Sequence, residues 1–151
     1  STFGIDGCLP TFMGQAFATD LPAFIVIGDI SFFYAMNAIS IKHRKPNVHI
    51  MLINNGGAAE FHIPPTSNAV PTIDRHIGVA HDRTAQAWAI SQGYEYIAAH
   101  DECELRDMMP IFVRDGNECP ILFEVFTDMK KDGEFCLEVY RELERHIKEC
   151  K

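Results

Sequence analysis

Apolar positions along the chain alternate between two periods. Leu9, Phe12, Met13, Ala16 and Phe17 recur at three and four residues, the spacing of one buried helix face. Pro10 falls in the first turn of that helix, where proline is tolerated, and Asp6 stands where a carboxylate could cap its start. Asp20-Leu21-Pro22 is a turn, after which Phe24 to Ile27 forms a short apolar run ending in Gly28-Asp29. A second run, Val48 to Ile53, ends in Asn54-Asn55-Gly56-Gly57. Both read as buried strands. Between them, Asp29 to Lys42 predicts a helix with Phe32, Phe33, Met36, Ile39 and Ile41 on or near the sheet side.

After Gly57 the pattern breaks. Ala58 to Pro71 is rich in Pro, Ala, Ser and Asn and predicts a long loop, and a loop of that length in a compact domain is usually functional or mobile. Asp82 to Gln92 predicts a helix with Ala85, Trp88 and Ala89 inward and Gly93 as its stop. Tyr94 to Ala99 reads as a strand, and Glu102 to Val113 as a helix carrying Leu105, Met108, Met109 and Phe112 at core spacing. Asp115-Gly116-Asn117 is a turn. Pro120 to Phe126 is nearly continuous in apolar residues, as expected inside a parallel sheet. Glu134 to Glu149 predicts a charged amphipathic helix with Leu137, Tyr140, Leu143 and Ile147 on one side, packed on the sheet or on a partner chain.

This order predicts an α/β fold, an open parallel sheet with helices on both faces, in a single domain spanning residues 1–151. Ligands of such sheets bind beyond the carboxyl ends of the strands. There the two apolar runs deliver one carboxylate, two carboxamides and two glycines. Asp and Asn side chains with a backbone carbonyl are hard oxygen donors, suited to Mg²⁺ or Ca²⁺ rather than zinc. Glycines allow close approach of backbone to phosphate. The predicted helix start at Asp29, with the Ser31 hydroxyl, offers an anion site.

Composition narrows the function classes. The chain has 151 residues and a formal net charge of −8, from 21 acidic and 13 basic side chains, with no Lys/Arg stripe, which argues against a nucleic-acid surface. The one basic cluster, Lys42-His43-Arg44-Lys45, reads as a helix end. The five cysteines are widely spaced with no CxxC, which fits a reduced, cytoplasmic setting. No signal-like start or membrane-length apolar run is present. His62, His76 and His81 lack the spacing of a zinc site and read as polar loop residues, with His62, beside Phe61, as the exception to watch.

Gly4-Ile5-Asp6-Gly7, then Gly28-Asp29-Ile30-Ser31, then Asn54-Asn55 followed by Gly56-Gly57, resemble the motifs of thiamine-diphosphate-dependent enzymes, and within them the menaquinone-pathway carboligase and acetolactate-synthase-like group. The family motif begins Gly-Asp-Gly, so Ile30 departs from it. The resemblance is carried by the chain up to about Phe61 and beyond that only by layout. It implies a diphosphate-binding domain, with Asp29, the Asn55 side chain and the Gly57 carbonyl holding Mg²⁺. It further implies cofactor contacts from Ile5, Gly28, Asp29, Ile30, Ser31, Asn55, Gly57, Ala58 and Phe61. Ile5 matches the aliphatic prop that bends the cofactor. Phe61 matches an active-site phenylalanine of the carboligase group, at a position where related decarboxylases carry a catalytic glutamate. Glu60 lies one residue off, and the role is not carried onto it.

The activity implied is decarboxylation of a 2-keto acid followed by protonation or by addition to an acceptor. The family's cofactor-activating glutamate comes from a pyrimidine-binding domain, and no glutamate here has its context. The resemblance therefore implies a fragment or separately encoded half, inactive alone. It would be completed in a homo- or hetero-oligomer through Ile5, the Ala58–Pro71 loop and the apolar side of Leu9 to Phe17. Three other readings compete: a thiamine-fold domain that has lost catalysis and serves assembly or regulation, a nucleotide-binding domain, which lacks GxGxxG, and a Mg²⁺-dependent phosphatase, for which Asp29-Ile30-Ser31 offers only one carboxylate.

Overall fold

The computed structural model describes residues 4–62 and 72–149. Its contacts divide the chain into two compact units, Ser1–Asn54 with Arg83–Phe126 and Asn55–Asp82 with Thr127–Lys151.

The first unit is built on four parallel strands in the order β1-β2-β4-β3: β1 (Ala23–Gly28), β2 (Val48–Asn54), β3 (Glu95–Ala99) and β4 (Ile121–Phe126). Alternate residues of a strand face opposite sides. On one side Ile27, Val48, Ile50, Leu52 and Leu122 meet Leu9, Phe12, Met13 and Ala16 of α1 (Cys8–Phe17), Phe32 of α2 (Asp29–Tyr34), and Ala89 of a later helix, Gln86–Ser91. On the other side Ile121, Phe123, Val125 and Ala99 meet Leu105, Met108, Met109 and Phe112 of the helix Glu102–Phe112. Helices thus cover both faces, as the alternation of periods predicts. Each fully buried Leu, Ile or Phe contributes on the order of 1.5–3 kcal/mol.

Several local expectations change. Gly7, not Asp6, is the N-cap of α1, in the left-handed region at φ 82° and with no side-chain cap. The apolar side of α1 is consumed by the unit's own core, which leaves Phe17 as its exposed apolar residue. β1 is an edge strand with alternating burial rather than a strand buried on both faces, and Val26 is 67% exposed. The helix expected over 29–42 stops at Tyr34 and continues as a 3-10 helix, Met36–Ser40. The Trp88 indole N–H donates to the Met36 carbonyl at 2.9 Å, and the Ser40 hydroxyl donates to the Asn37 carbonyl at 2.7 Å. Carbonyls with such partners are no longer reserved for an i+4 ladder. The cluster 42–45 consequently lies in the following loop and not at an α-helix end. There Lys45 Nζ bonds Asp20 Oδ1 at 2.8 Å and the Thr19 carbonyl at 3.0 Å, and Arg44 donates to the Gln92 carbonyl.

The helix Gln86–Ser91 is shorter than the 82–92 expected, because Thr84 and Ala85 have partners elsewhere, described below. The helix Glu102–Phe112 is capped by Asp101, whose carboxylate accepts from the Glu104 N–H at 2.9 Å.

In the second unit the loop after Gly57 contains a 3-10 turn, Ala59–His62, and a short helix α3 (Ile73–His76). With α4 for Gln86–Ser91 and α5 for Glu102–Phe112, the last helix, Met129–Glu149, is α6. It begins earlier than the sequence suggests, and it packs on the 3-10 turn through Gly133: a Cβ there would meet His62 Cβ at 2.9 Å and the Ala59 carbonyl at 3.4 Å. Its expected apolar side is largely open, with Leu137 half-buried and Tyr140, Leu143 and Ile147 exposed. The remainder of the loop, 63–71, lies outside the described residues.

No helix among the described residues is long and apolar enough to cross a membrane. Cys8, Cys103, Cys119 and Cys136 carry free thiols.

Candidate functional site

In the first unit, parallel pairing sets Gly28 opposite Ile53, so Asp29 and Asn54 both stand at the carboxyl edge of the sheet. Gly28 is extended (φ −74°, ψ 159°), and the chain turns into α2 at Asp29. Asp29 is 2% exposed, and its Oδ1 accepts from the Ile30 N–H at 2.6 Å. One of the helix-start N–H groups expected for an anion is therefore already engaged. Ser31 is half-buried, and its hydroxyl makes no hydrogen bond among the described residues. Ile5 precedes α1 and is 39% exposed.

Asn54, the last residue of β2, is buried. Its amide donates to the Arg83 carbonyl at 2.8 Å and to Glu124 Oε1 at 2.7 Å. Glu124 sits inside the apolar strand β4 with 0% exposure. Its carboxylate also accepts from the Thr84 hydroxyl at 2.7 Å, the Ala85 N–H at 3.1 Å and the Tyr96 hydroxyl at 2.8 Å. Burial, with the neighbouring Glu124 adding to it against the Thr84 hydrogen bond, pushes the Tyr96 phenol up to about 12. Reading Pro120–Phe126 as an apolar run passes over Glu124. The signal that could have singled it out is the lone carboxylate between Phe123 and Val125.

In the second unit, Asn55 to Ala58 form a tight turn. Asn55 Oδ1 accepts from the Gly57 N–H at 3.1 Å, and the Asn55 carbonyl accepts from the Met129 N–H at 2.9 Å. Two further backbone bonds clamp the turn to 78–81: Ala58 N–H to the Gly78 carbonyl at 2.8 Å and His81 N–H to the Gly56 carbonyl at 2.9 Å. The approach is close enough to require glycine at 57, since a Cβ there would lie 2.6 Å from the Gly78 carbonyl oxygen and 2.7 Å from Met129 Sδ. Ala58 is buried with its N–H engaged, and Phe61 is half-buried on the 3-10 turn. His62 Nε2 lies 2.8 Å from Asp74 Oδ1.

The sequence-derived residues thus fall into two groups. Gly28, Asp29, Ile30 and Ser31 cluster at the β1–α2 junction, and Asn55, Gly57, Ala58 and Phe61 lie in the turn and 3-10 segment of the second unit. Among the described residues, no three His, Cys, Asp or Glu side chains converge to hold a metal. Asp29 in the first unit offers a carboxylate, and Asn55 and Gly57 in the second offer a carboxamide oxygen and a peptide carbonyl. This all-oxygen donor set fits Mg²⁺, which keeps part of its coordination for water or phosphate oxygens.

A separate cavity of about 330 Å³ lies in the first unit at the amino end of β2, against Met13, Phe17, Ile41 and Val48. It is therefore at the opposite end of the strand from Asn54.

No protein-family model matches the chain. Curated relatives do. A 2-succinyl-5-enolpyruvyl-6-hydroxy-3-cyclohexene-1-carboxylate synthase of Bacteroides thetaiotaomicron is 38% identical over 145 residues, 95% of this chain and 26% of the relative. A protein of the same name from Bacteroides fragilis is 38% identical over 143 residues, 94% of this chain and 26% of the relative. Another from Christiangramia forsetii is 30% identical over 139 residues, 92% of this chain and 24% of the relative. The chain spans about a quarter of the length of these relatives. With the motifs at Gly4–Gly7, Gly28–Ser31 and Asn54–Gly57 and a parallel α/β sheet that brings two of their ends to one edge, the chain is a homologue of the 2-succinyl-5-enolpyruvyl-6-hydroxy-3-cyclohexene-1-carboxylate synthases.

Proposed function

We propose that the chain is the diphosphate-binding part of a Mg²⁺- and thiamine-diphosphate-dependent enzyme that decarboxylates a 2-keto acid and joins the product to an acceptor. The observation that carries this reading is the homology to these synthases over 95% of the chain, which spans both Gly28-Asp29 at the end of β1 and the Asn55–Gly57 turn that follows β2 in sequence. Asp29, the Asn55 side-chain oxygen and the Gly57 carbonyl would hold the metal. Ser31 would donate to the diphosphate, and Ile5 would give apolar support to the cofactor rings. Bound thiamine diphosphate supplies an electron sink for loss of carbon dioxide.

This chain's own residues bind and orient. Asp29 would bring the one formal negative charge to the metal, and the hydrogen bond from the Ile30 N–H helps to orient its carboxylate. The Asn55 carboxamide is held by the Gly57 N–H, which aims its oxygen without adding charge. Proton transfer to the cofactor has no assigned group in this chain. It falls to a pyrimidine-binding domain, on the same or another chain, in a homo- or hetero-oligomer.

The test is calorimetric titration of the chain with thiamine diphosphate, with and without Mg²⁺, in wild type and Asp29→Ala. Metal-dependent binding abolished by the substitution is expected. Binding that needs no metal, or that survives Asp29→Ala unchanged, would overturn the assignment.

A further inference from the structure

Glu124 is the one fully buried carboxylate in an otherwise apolar strand, and nothing proposed above uses it. An isolated ionisable group is costly to bury, and a well-packed apolar residue is often a better tenant of such a position. Among the described residues Glu124 has no Lys, Arg or His partner. Its two oxygens are instead surrounded by four neutral donors: Asn54 from β2, Thr84 and Ala85 from the segment leading into α4, and Tyr96 from β3.

Those donors are unevenly distributed in a telling way. Asn54 is the last residue before the chain leaves the sheet unit, and Arg83 is the first after it returns. The Asn54 amide donates to the Arg83 carbonyl and to Glu124, while Glu124 itself takes the next two residues of the returning segment, Thr84 and Ala85. A single side chain therefore ties together the two ends of the excursion 55–82. That excursion begins with Asn55 and Gly57, the residues assigned to the metal. Tyr96 then anchors the carboxylate to the neighbouring strand β3.

We infer that Glu124 is a positioning residue for the metal site: by clasping Asn54 to Thr84–Ala85 it fixes the stem from which Asn55 and Gly57 are presented. The inference rests on the cofactor reading above for the identity of what is presented, and on the hydrogen bonds of the sheet unit for the clasp. Loss of a group bonded directly to a metal ligand typically lowers metal affinity about 10–100-fold, and Glu124, which acts one residue removed through Asn54, should fall at or below the lower end of that range.

The experiment uses the chain in three forms: wild type, Glu124→Gln, which keeps the shape but turns an acceptor into a donor toward Asn54 or Thr84, and Thr84→Val, which removes one donor. Backbone amide exchange is read at 55–62 and 72–82 and compared with the amides of β1, β2 and β4. Mg²⁺ is titrated with thiamine diphosphate present. Glu124→Gln is expected to speed exchange in 55–62 and 72–82 by about tenfold or more, leave the strand amides near wild type, and weaken Mg²⁺ binding by up to about tenfold. Thr84→Val should give a weaker form of the same pattern, and it carries the test if Glu124→Gln does not fold. Exchange that rises equally in the strands marks a purely structural role and overturns the inference. So does unchanged exchange with wild-type Mg²⁺ affinity. A wild-type chain that binds neither Mg²⁺ nor thiamine diphosphate overturns the cofactor reading, and with it the metal-positioning role, which separates that failure from failure of Glu124 alone.

Discussion

Gly57→Ala isolates the close approach on which the Asn55–Ala58 turn depends. The new Cβ would sit 2.6 Å from the Gly78 carbonyl oxygen, 2.7 Å from Met129 Sδ and 3.4 Å from Ala80 Cα. Met129 can swing its flexible thioether away. Gly78 has less freedom, because its carbonyl accepts from the Ala58 N–H at 2.8 Å and its own N–H donates to the Ile73 carbonyl at 2.7 Å. Relief therefore means moving backbone by several tenths of an ångström. Overpacking of this kind costs about 1–3 kcal/mol, and weakening the Ala58–Gly78 bond adds about 0.5–1.5 kcal/mol, so the turn should lose on the order of 2–4 kcal/mol.

Gly116→Ala is the control. Its φ is 72° with nothing within 4 Å of the added Cβ, so it carries only the left-handed penalty of about 1–2 kcal/mol. Amide exchange at Ala58 and His81, the two N–H groups that clamp the turn, is the local readout, and urea unfolding gives the total. Faster exchange at both amides in Gly57→Ala, absent in Gly116→Ala, is expected. If Gly57→Ala costs no more than Gly116→Ala and leaves both amides protected, the packing argument at 57 fails.

Two other outcomes follow from backbone strain and burial. Val79 is the one non-glycine with positive φ among the described residues, at 49°, and its β-branched side chain is 43% exposed. Val79→Gly relieves about 1–2 kcal/mol of strain and gives back about 0.4–1 kcal/mol in unfolded-chain entropy, for a net gain on the order of 0.5–1 kcal/mol that a raised Tm would register and a lowered one refute. His49 is buried between Phe24 and Phe112, and burial holds its imidazole below its ordinary 6.5 against the opposing hydrogen bond to the Phe112 carbonyl. The unfolded chain then binds the proton first, so the His49 contribution to stability is present above pH 6.5 and is lost as pH falls from there toward the lower folded value. An NMR titration placing the folded His49 above 6.5 would reverse that sign.

What the sequence disclosed and what it withheld divide along a physical line. The helix face of α1, the apolar run of β2 and the core face of α5 repeat a single period, and tertiary packing used them as that period predicts. The punctuation was equally plain, because Gly28-Asp29 and Asn54-Asn55-Gly56-Gly57 place polar and glycine residues where two strands end. The helix expected over 29–42 is shorter than its pattern suggests, because its interruption has no local cause. No proline or glycine marks Ala35, and the Met36 carbonyl is taken by Trp88, 52 residues away. The edge position of β1 likewise depends on the order of strands, whereas Phe24 to Ile27 taken alone resembles any buried strand.

Glu124 shows the same line from the other side. In hydropathy terms Pro120–Phe126 is an apolar strand with one blemish, and averaging over the window hides the blemish. The physical cost of burying a carboxylate reverses the weighting: Phe123 and Val125 could be exchanged for similar residues at modest cost, but Glu124 requires four donors in place. Three of those donors, Asn54, Thr84 and Ala85, are separated from it by 39 to 70 residues in sequence and meet only through the β2–β4 pairing and the return of the chain at Arg83. A motif reading finds candidate ligand residues because they are polar at strand ends. The group that fixes their stem lies inside a strand and is recognised only when its partners are counted.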